Sequence, residues 1–315
     1  MTGPTSPTAQ AWSLADLPDQ TGRTIVVTGT TQGGLGHFTA LELARRGGRV
    51  VLAGRSAGKL DATQAAITTE VPGATLEKLV VDLSDLTSVR TAASEAAAFG
   101  PIDVRINNAG IMAPPYRRTA DGLESQMATN HFGPFLLTGL LLPQLGASGD
   151  ACVVTVSSVM HKVAREAPIG DPRAERRYQR WPVYAETKLA NLLFTYELDR
   201  RARGKDLPLR ALAAHPGLAG THLAANGQFG RARGGAASIL DAAVKAIAQP
   251  AHAGAWPSLM AATADLPGST YVGPSGLGER GGPPQVVTAR ALAMNVEMQQ
   301  RLWQVSEETV GLRWP

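Results

Sequence analysis

Tyr184 and Lys188 stand four residues apart in a segment of helical pattern, so both side chains project from one helix face. A free tyrosine near pKa 10 keeps its proton at neutral pH, whereas a cation about 4 Å away contributes roughly 4 kcal/mol at an effective dielectric near 20, or about 3 pK units before solvent access reduces it. The spacing therefore predicts a Tyr184 poised as general acid for carbonyl reduction or as base for alcohol oxidation. A Tyr-x-x-x-Lys pair alone is common on helix surfaces, so its surroundings must carry the weight. Ser157 and Ser158 follow the apolar run Ala151–Val156, at a strand end of the kind where open α/β sheets place ligands, and a hydroxyl there can polarise a substrate oxygen. An alternating strand points only one of the two inward. The six histidines show no spacing such as His-Glu-x-x-His, which leaves metal catalysis unsupported.

Short β-branched runs alternate with longer Ala/Leu-rich segments of helical period, the pattern of βαβ units in a parallel sheet. The predicted strands are Thr24–Thr28, 49–53, 76–81, Val104–Asn107, Ala151–Val156 and Leu209–Ala214. A helix over 36–46 should end in a left-handed cap at Gly47-Gly48, and one over 126–142 should stop at Pro143. The first strand runs into Thr28-Gly29-Thr30-Thr31-Gln32-Gly33-Gly34-Leu35-Gly36. Glycines there allow a tight turn and close approach of a pyrophosphate, and the N–H groups of the helix start attract phosphate. With a strand before it, a helix after it and a second strand ending about 25 residues on, the loop predicts dinucleotide binding through Gly29, Gly34, Leu35 and Gly36. The second strand ends in Arg55-Ser56, a guanidinium and a hydroxyl suited to a 2′-phosphate, which favours NADP(H) over NAD(H).

Further along, Val81-Asp82-Leu83, Asn107-Asn108-Ala109-Gly110, Asn130, Ser157-Ser158, Tyr184-Ala185-Glu186-Thr187-Lys188 and His215-Pro216-Gly217 follow in order. With the glycine loop, this set resembles the classical short-chain dehydrogenase/reductase family over roughly residues 12–313. The stretch Lys188-Leu189-Ala190-Asn191-Leu192-Leu193-Phe194, the long loop before Tyr184 and the ending Leu302-Trp303-Gln304-Val305-Ser306-Glu307-Glu308 resemble its retinol-dehydrogenase-like branch of bacterial oxidoreductases, which is broad in substrate. The resemblance implies one Rossmann-type doubly wound α/β domain. It puts Asp82 and Leu83 at the adenine, Asn108-Ala109-Gly110 beside the adenosine ribose, Tyr184 and Lys188 at the nicotinamide ribose, and Pro216, Gly217 and Thr221 at the nicotinamide end. It also selects Ser158 over Ser157 and makes Asn130 the support of a water-linked proton relay to the lysine. Two positions depart from the family pattern. Four residues rather than three separate Gly29 from Gly34, and Arg105 stands in a strand where the family carries an apolar residue. A central strand does not welcome an unpaired cation, so Arg105 is expected to meet a carboxylate or reach an edge.

The 315 residues, 44% hydrophobic and 18% charged, describe a globular chain with a formal charge of +4. Six basic residues, Lys162, Arg165, Arg173, Arg176, Arg177 and Arg180, against Glu166, Asp171 and Glu175 place much of that excess in a Pro/Gly-containing loop rather than a recognition helix, so nucleic-acid binding is not expected. Residues 1–20 read as a loosely ordered arm whose end Trp12 and Leu17 pin to a single domain over 21–315, and 222–284, with a helix at 236–248, reads as a substrate lid. Cys152 lies in an apolar run and is expected as a buried thiol. No apolar stretch is long enough to span a bilayer and no basic-then-apolar leader opens the chain, which suggests a cytoplasmic protein without membrane contact. The combined expectation is an NADP(H)-dependent oxidoreductase acting on a small carbonyl or alcohol, in the reductive direction, with homo-oligomerisation left open. The alternative is a non-catalytic dinucleotide sensor on the same fold, which should have lost Asn130, Ser158, Tyr184 or Lys188.

Overall fold

Unbroken aliphatic runs such as Thr24–Thr28 can be stable only with both faces covered, because each alternate side chain leaves the opposite side of the sheet. The computed structural model, which describes residues 11–171, 173–218 and 249–314, meets that requirement. Eight strands form one sheet: β1 Thr24–Thr28, β2 Arg49–Gly54, β3 Leu76–Val80, β4 Val104–Asn107, β5 Ala151–Val156, β6 Leu209–Ala214, β7 Tyr271–Pro274 and β8 Pro284–Val286. Their order is β3-β2-β1-β4-β5-β6-β7-β8, parallel throughout except for the antiparallel β7–β8 pair. Val26, Val51 and Val153 pack on one face with Phe135, Phe194 and Trp303, while Ile25, Val27, Val50 and Val154 pack on the other with Leu41, Leu43 and Leu259. Strand order reverses between β1 and β4, which opens a crevice at the C-terminal strand ends, where ligands bind in such sheets.

The helices are α1 Leu35–Arg45, α2 Ala57–Glu70, α3 Leu86–Ala96, α4 Ser125–Met127, α5 Gly133–Leu140, α6 Leu142–Ser148, α7 Arg180–Gly204, α8 Ala251–Gly254, α9 Trp256–Thr263 and α10 Val296–Val310. As expected, α1 ends before a left-handed Gly47, φ +83°. The helix expected over 126–142 is interrupted: a π-helical turn, Ala128–Phe132, separates α4 from α5. Pro143 does not end it either, but lies in the first turn of α6, where a missing N–H costs nothing.

Two further expectations need correcting. Within the expected lid, residues 256–263 and 271–274 are built into the body of the fold instead, since Leu259 is fully buried in the core and β7 extends the sheet beside β6; the expected helix at 236–248 and Thr221 lie outside the described residues. The end of the N-terminal arm is held, with Leu17 and Gln20 buried and Trp12 packed on the core. Arg105 meets no carboxylate among the described residues and reaches no edge. It lies between β1 and β5 in mid-sheet with no exposed surface, Nε donates to Thr138 Oγ1 at 3.1 Å, and Nη1 and Nη2 find no partner among the described residues. Burial pulls this guanidinium down to about 9.

Candidate active site

The geometry of the glycine loop follows from close approach. A Cβ on Gly29 would stand 2.8 Å from the Ala109 Cα, and one on Gly36 would stand 2.6 Å from the Gly29 carbonyl oxygen and 2.5 Å from Asn108 Nδ2. Only glycine lets the ends of β1 and β4 and the start of α1 meet there. Asn108 seals the junction by donating Nδ2 to the Thr28 carbonyl at 2.7 Å, while Thr28 Oγ1 accepts the N–H groups of Asn108 and Ala109 at 3.1 Å. Gly34 caps α1 directly before Leu35, and Gly33, the other residue of the lengthened loop, is left-handed and donates its N–H to His37 Nδ1 at 3.3 Å. Arg55 is exposed just beyond β2, next to Ser56 at the N-cap of α2. Asp82 accepts the N–H and hydroxyl of Ser84 at 2.9 and 2.6 Å, so its carboxylate fastens a turn, while Leu83 is buried in the core.

The residues expected to do acid–base chemistry come from four segments. At the end of β5, Ser157 turns into the protein and donates to the Lys188 carbonyl at 2.8 Å, which leaves Ser158 on the opposite side. Ser158 caps a 3-10 turn, Val159–Val163, and its carbonyl oxygen lies 2.7 Å from His161 Nδ1. His161 Nε2 accepts the Arg290 N–H at 3.3 Å, which assigns the ring proton to Nδ1. Tyr184 is 4% exposed. Burial pushes its hydroxyl up to about 12, against the opposing pull of a side-chain hydrogen bond with Ser158. This reverses the expected lowering of Tyr184 by its lysine, whose Nζ lies 5.7 Å from the Tyr184 ring centre and donates to the Val156 carbonyl at 3.1 Å. Burial in turn draws Lys188 down to about 8.

Asn130 occupies the π turn, where the local widening of a helix often marks a functional position. Its Oδ1 accepts the Ile111 N–H at 2.8 Å, and its Nδ2 donates to the Ile111 carbonyl and to Thr187 Oγ1, each at 3.0 Å. Gly110 lies against both partners of the expected relay, since a Cβ there would stand 3.2 Å from Asn130 Oδ1 and 3.6 Å from Lys188 Nζ. Pro216 and Gly217 follow β6 and are held by Gln249, whose Nε2 donates to the Pro216 carbonyl at 2.7 Å. Sequence reasoning missed Gln249, Thr28 and Thr187. Of these, Thr187 had a local signal in its place between Tyr184 and Lys188, and Thr28 in its place directly before Gly29.

The described residues contain no group of three or more His, Cys, Asp or Glu arranged to hold a metal ion, and no described helix is long and apolar enough to cross a membrane. The glycine cradle and the free start of α1 together suit a dinucleotide.

Residues 23–229 match the family model described as short chain dehydrogenase. Human retinol dehydrogenase 12 is 35% identical over 305 residues, covering 93% of this chain and 88% of that protein. Human retinol dehydrogenase 13 is 35% identical over 311 residues, covering 96% and 88%. A crystal structure of an uncharacterized protein from Mycobacterium Paratuberculosis superposes with a TM-score of 0.79 at 40% identity, covering 97% of this chain and all of that one.

Proposed function

The chain belongs to the short-chain dehydrogenase/reductase family, on its retinol-dehydrogenase-like side, and from that premise we propose that it is an NADP(H)-dependent oxidoreductase that reduces a carbonyl to an alcohol with Tyr184 as proton donor. The observation that carries this reading is that Asn130 Oδ1 and Lys188 Nζ both border Gly110, while Lys188 Nζ and Ser157 tie the helix of Tyr184 to the end of β5 where Ser158 stands. A dinucleotide sensor would need the glycine cradle but not this second constellation.

Gly29, Leu35 and Gly36 would cradle the pyrophosphate, with Gly34 at the start of α1. Arg55 and Ser56 would take the 2′-phosphate, Asp82 and Leu83 would flank the adenine, and Asn108-Ala109-Gly110 would wall the adenosine ribose. Lys188 and Tyr184 would hold the other ribose. When bound, the nicotinamide ring supplies the hydride for reduction and accepts it in oxidation. Ser158 would hydrogen-bond the substrate oxygen, and Tyr184, kept protonated by burial, would give that oxygen its proton. Asn130 would hold the Ile111 peptide in place while Lys188 resupplies the proton through water.

The test is a fluorescence titration of the protein with NADPH and with NADH, followed by a carbonyl panel comparing the wild type with Tyr184→Phe. Tight NADPH binding by both, with turnover only in the wild type, is the expected result. Equal turnover in Tyr184→Phe would remove Tyr184 from the chemistry, NADH preference would overturn the role of Arg55, and binding with no turnover across the panel would shift the reading to the sensor.

A further inference from the structure

Glu279 lies outside every motif above, yet its carboxylate touches two segments of the candidate site. Oε1 accepts from Lys162 Nζ at 2.6 Å, and Lys162 belongs to the turn that Ser158 caps. Oε2 lies 3.0 Å from Nε2 of His215, the fully buried residue that joins β6 to Pro216-Gly217. His215 Nδ1 accepts the Gly217 N–H at 3.2 Å, which places the ring proton on Nε2, facing the carboxylate. At 3.0 Å the pair falls outside good hydrogen-bond geometry, so the contact is an attraction between charge and dipole. The ring is fixed from behind as well, because a side chain at Gly273 would collide with it.

The backbone at Glu279 makes the same connection. The Arg280 carbonyl accepts the Leu218 N–H at 2.9 Å, and a Cβ on Gly217 would stand 2.6 Å from that oxygen and 2.9 Å from the Glu279 carbonyl oxygen. Glu279 itself is left-handed, φ +56°, beside a Gly278 at φ +63°. A residue with a side chain is strained in that conformation and glycine is not, so the carboxylate is kept at a position whose backbone favours its removal.

We propose that Glu279 is a positioning residue for the nicotinamide end of the site, locking the Ser158 turn to the Pro216-Gly217 loop through Lys162 and His215. The role rests on the cofactor reading above. With the lock in place, the loop that meets the nicotinamide and the hydroxyl that polarises the substrate oxygen keep one fixed separation. Without it, the adenine half of the cofactor should still bind, because Arg55 and the glycine cradle lie at the ends of β1 and β2.

The experiment compares wild type, Glu279→Gly, Glu279→Gln and Lys162→Met by fluorescence titration with whichever of NADPH and NADH the wild type binds, with 2′,5′-ADP or ADP as the probe of the adenine half, and with a melting curve for each. Glu279→Gly, freed of backbone strain, should melt no lower than wild type yet bind the dinucleotide about tenfold more weakly, the size of one lost charge-assisted contact. It should also lose the shift in nicotinamide emission while its affinity for the adenine-half probe is unchanged. Glu279→Gln should recover part of that loss, and Lys162→Met should reproduce it. Equal dinucleotide affinity and emission in all four proteins would overturn the role. So would a parallel loss of both ligands with a lower melting temperature, which would mark a merely structural residue. A wild type that binds neither dinucleotide would overturn the cofactor reading itself, and this role with it.

Discussion

Asn130 satisfies both backbone groups of Ile111, accepting its N–H at 2.8 Å and donating to its carbonyl at 3.0 Å. A side-chain amide suits this task because it offers an acceptor and a donor side by side. Ile111 follows Gly110, which abuts Lys188 Nζ, so the pairing sets the wall against which the lysine stands.

Asn130→Ala should therefore cost about 1–3 kcal/mol of stability, the penalty of leaving partly buried backbone groups unpaired. Asn130→Asp should not restore it, because a carboxylate oxygen would face the Ile111 carbonyl. Urea unfolding of the two variants checks this, and an Asn130→Asp as stable as wild type would show that the donated bond carries no weight.

Lys188 sets a pH dependence of opposite sign for rate and stability. Burial draws it from 10.5 down to about 8, while Tyr184 at about 12 stays protonated across the working range. If the lysine resupplies the proton, carbonyl reduction should fall as pH rises through about 8. The stability contribution runs the other way. Below about 8 both folded and unfolded lysines are charged and the burial penalty is full; between about 8 and 10.5 the unfolded chain binds more protons, so stability rises with pH. In Lys188→Met the stability rise across that window should vanish, and a rate profile flat through it in the wild type would remove Lys188 from the relay.

Arg55 is exposed at the end of β2, beside the start of α2. Arg55→Ala should weaken NADPH about 10- to 100-fold, as expected for losing charge-assisted bonds to a phosphate, and leave NADH nearly unchanged. Calorimetric titration of both cofactors is the check. An equal loss for the two would place Arg55 away from the 2′-phosphate.

What could be read from the chain alone depended on locality. Continuous aliphatic runs such as Ala151–Val156 announce two-faced burial, and all six strands expected from such runs are present. Tyr184 and Lys188 share one helix, so their spacing was legible, yet spacing is silent on burial, which decides the direction of both pKa shifts. β7, Tyr-Val-Gly-Pro, has the composition of a turn and becomes a strand through pairing with β6 and the packing of His215 over Gly273. The π turn at Asn130 carries no composition signal, because the residues around it suit an ordinary helix as well. Glu279 was beyond reach for the same reason, since its partners come from two distant loops.

Arg105 shows what a departure from the family pattern costs. Its guanidinium is fully buried in β4, with one hydrogen bond to Thr138 and two nitrogens unpartnered among the described residues, and burial lowers it to about 9. Removing such a group in favour of an apolar side chain of similar length exchanges a desolvated cation for packing, so Arg105→Met should stabilise the fold by about 1–4 kcal/mol at neutral pH. Thr138 keeps its bonds to the Pro134 carbonyl and to Asn107, so the substitution strands no polar partner. The sign with pH follows from the lowered value: below about 9 both states carry the charge and the penalty is constant, and above it the folded state sheds the proton first, so the gap between variant and wild type should narrow. Activity should be unaffected, because Arg105 touches none of Asn130, Ser158, Tyr184 or Lys188. Urea unfolding at pH 7 and pH 9.5 measures both the gain and its narrowing. An Arg105→Met less stable than wild type at pH 7 would mean that the guanidinium meets a partner that offsets its burial.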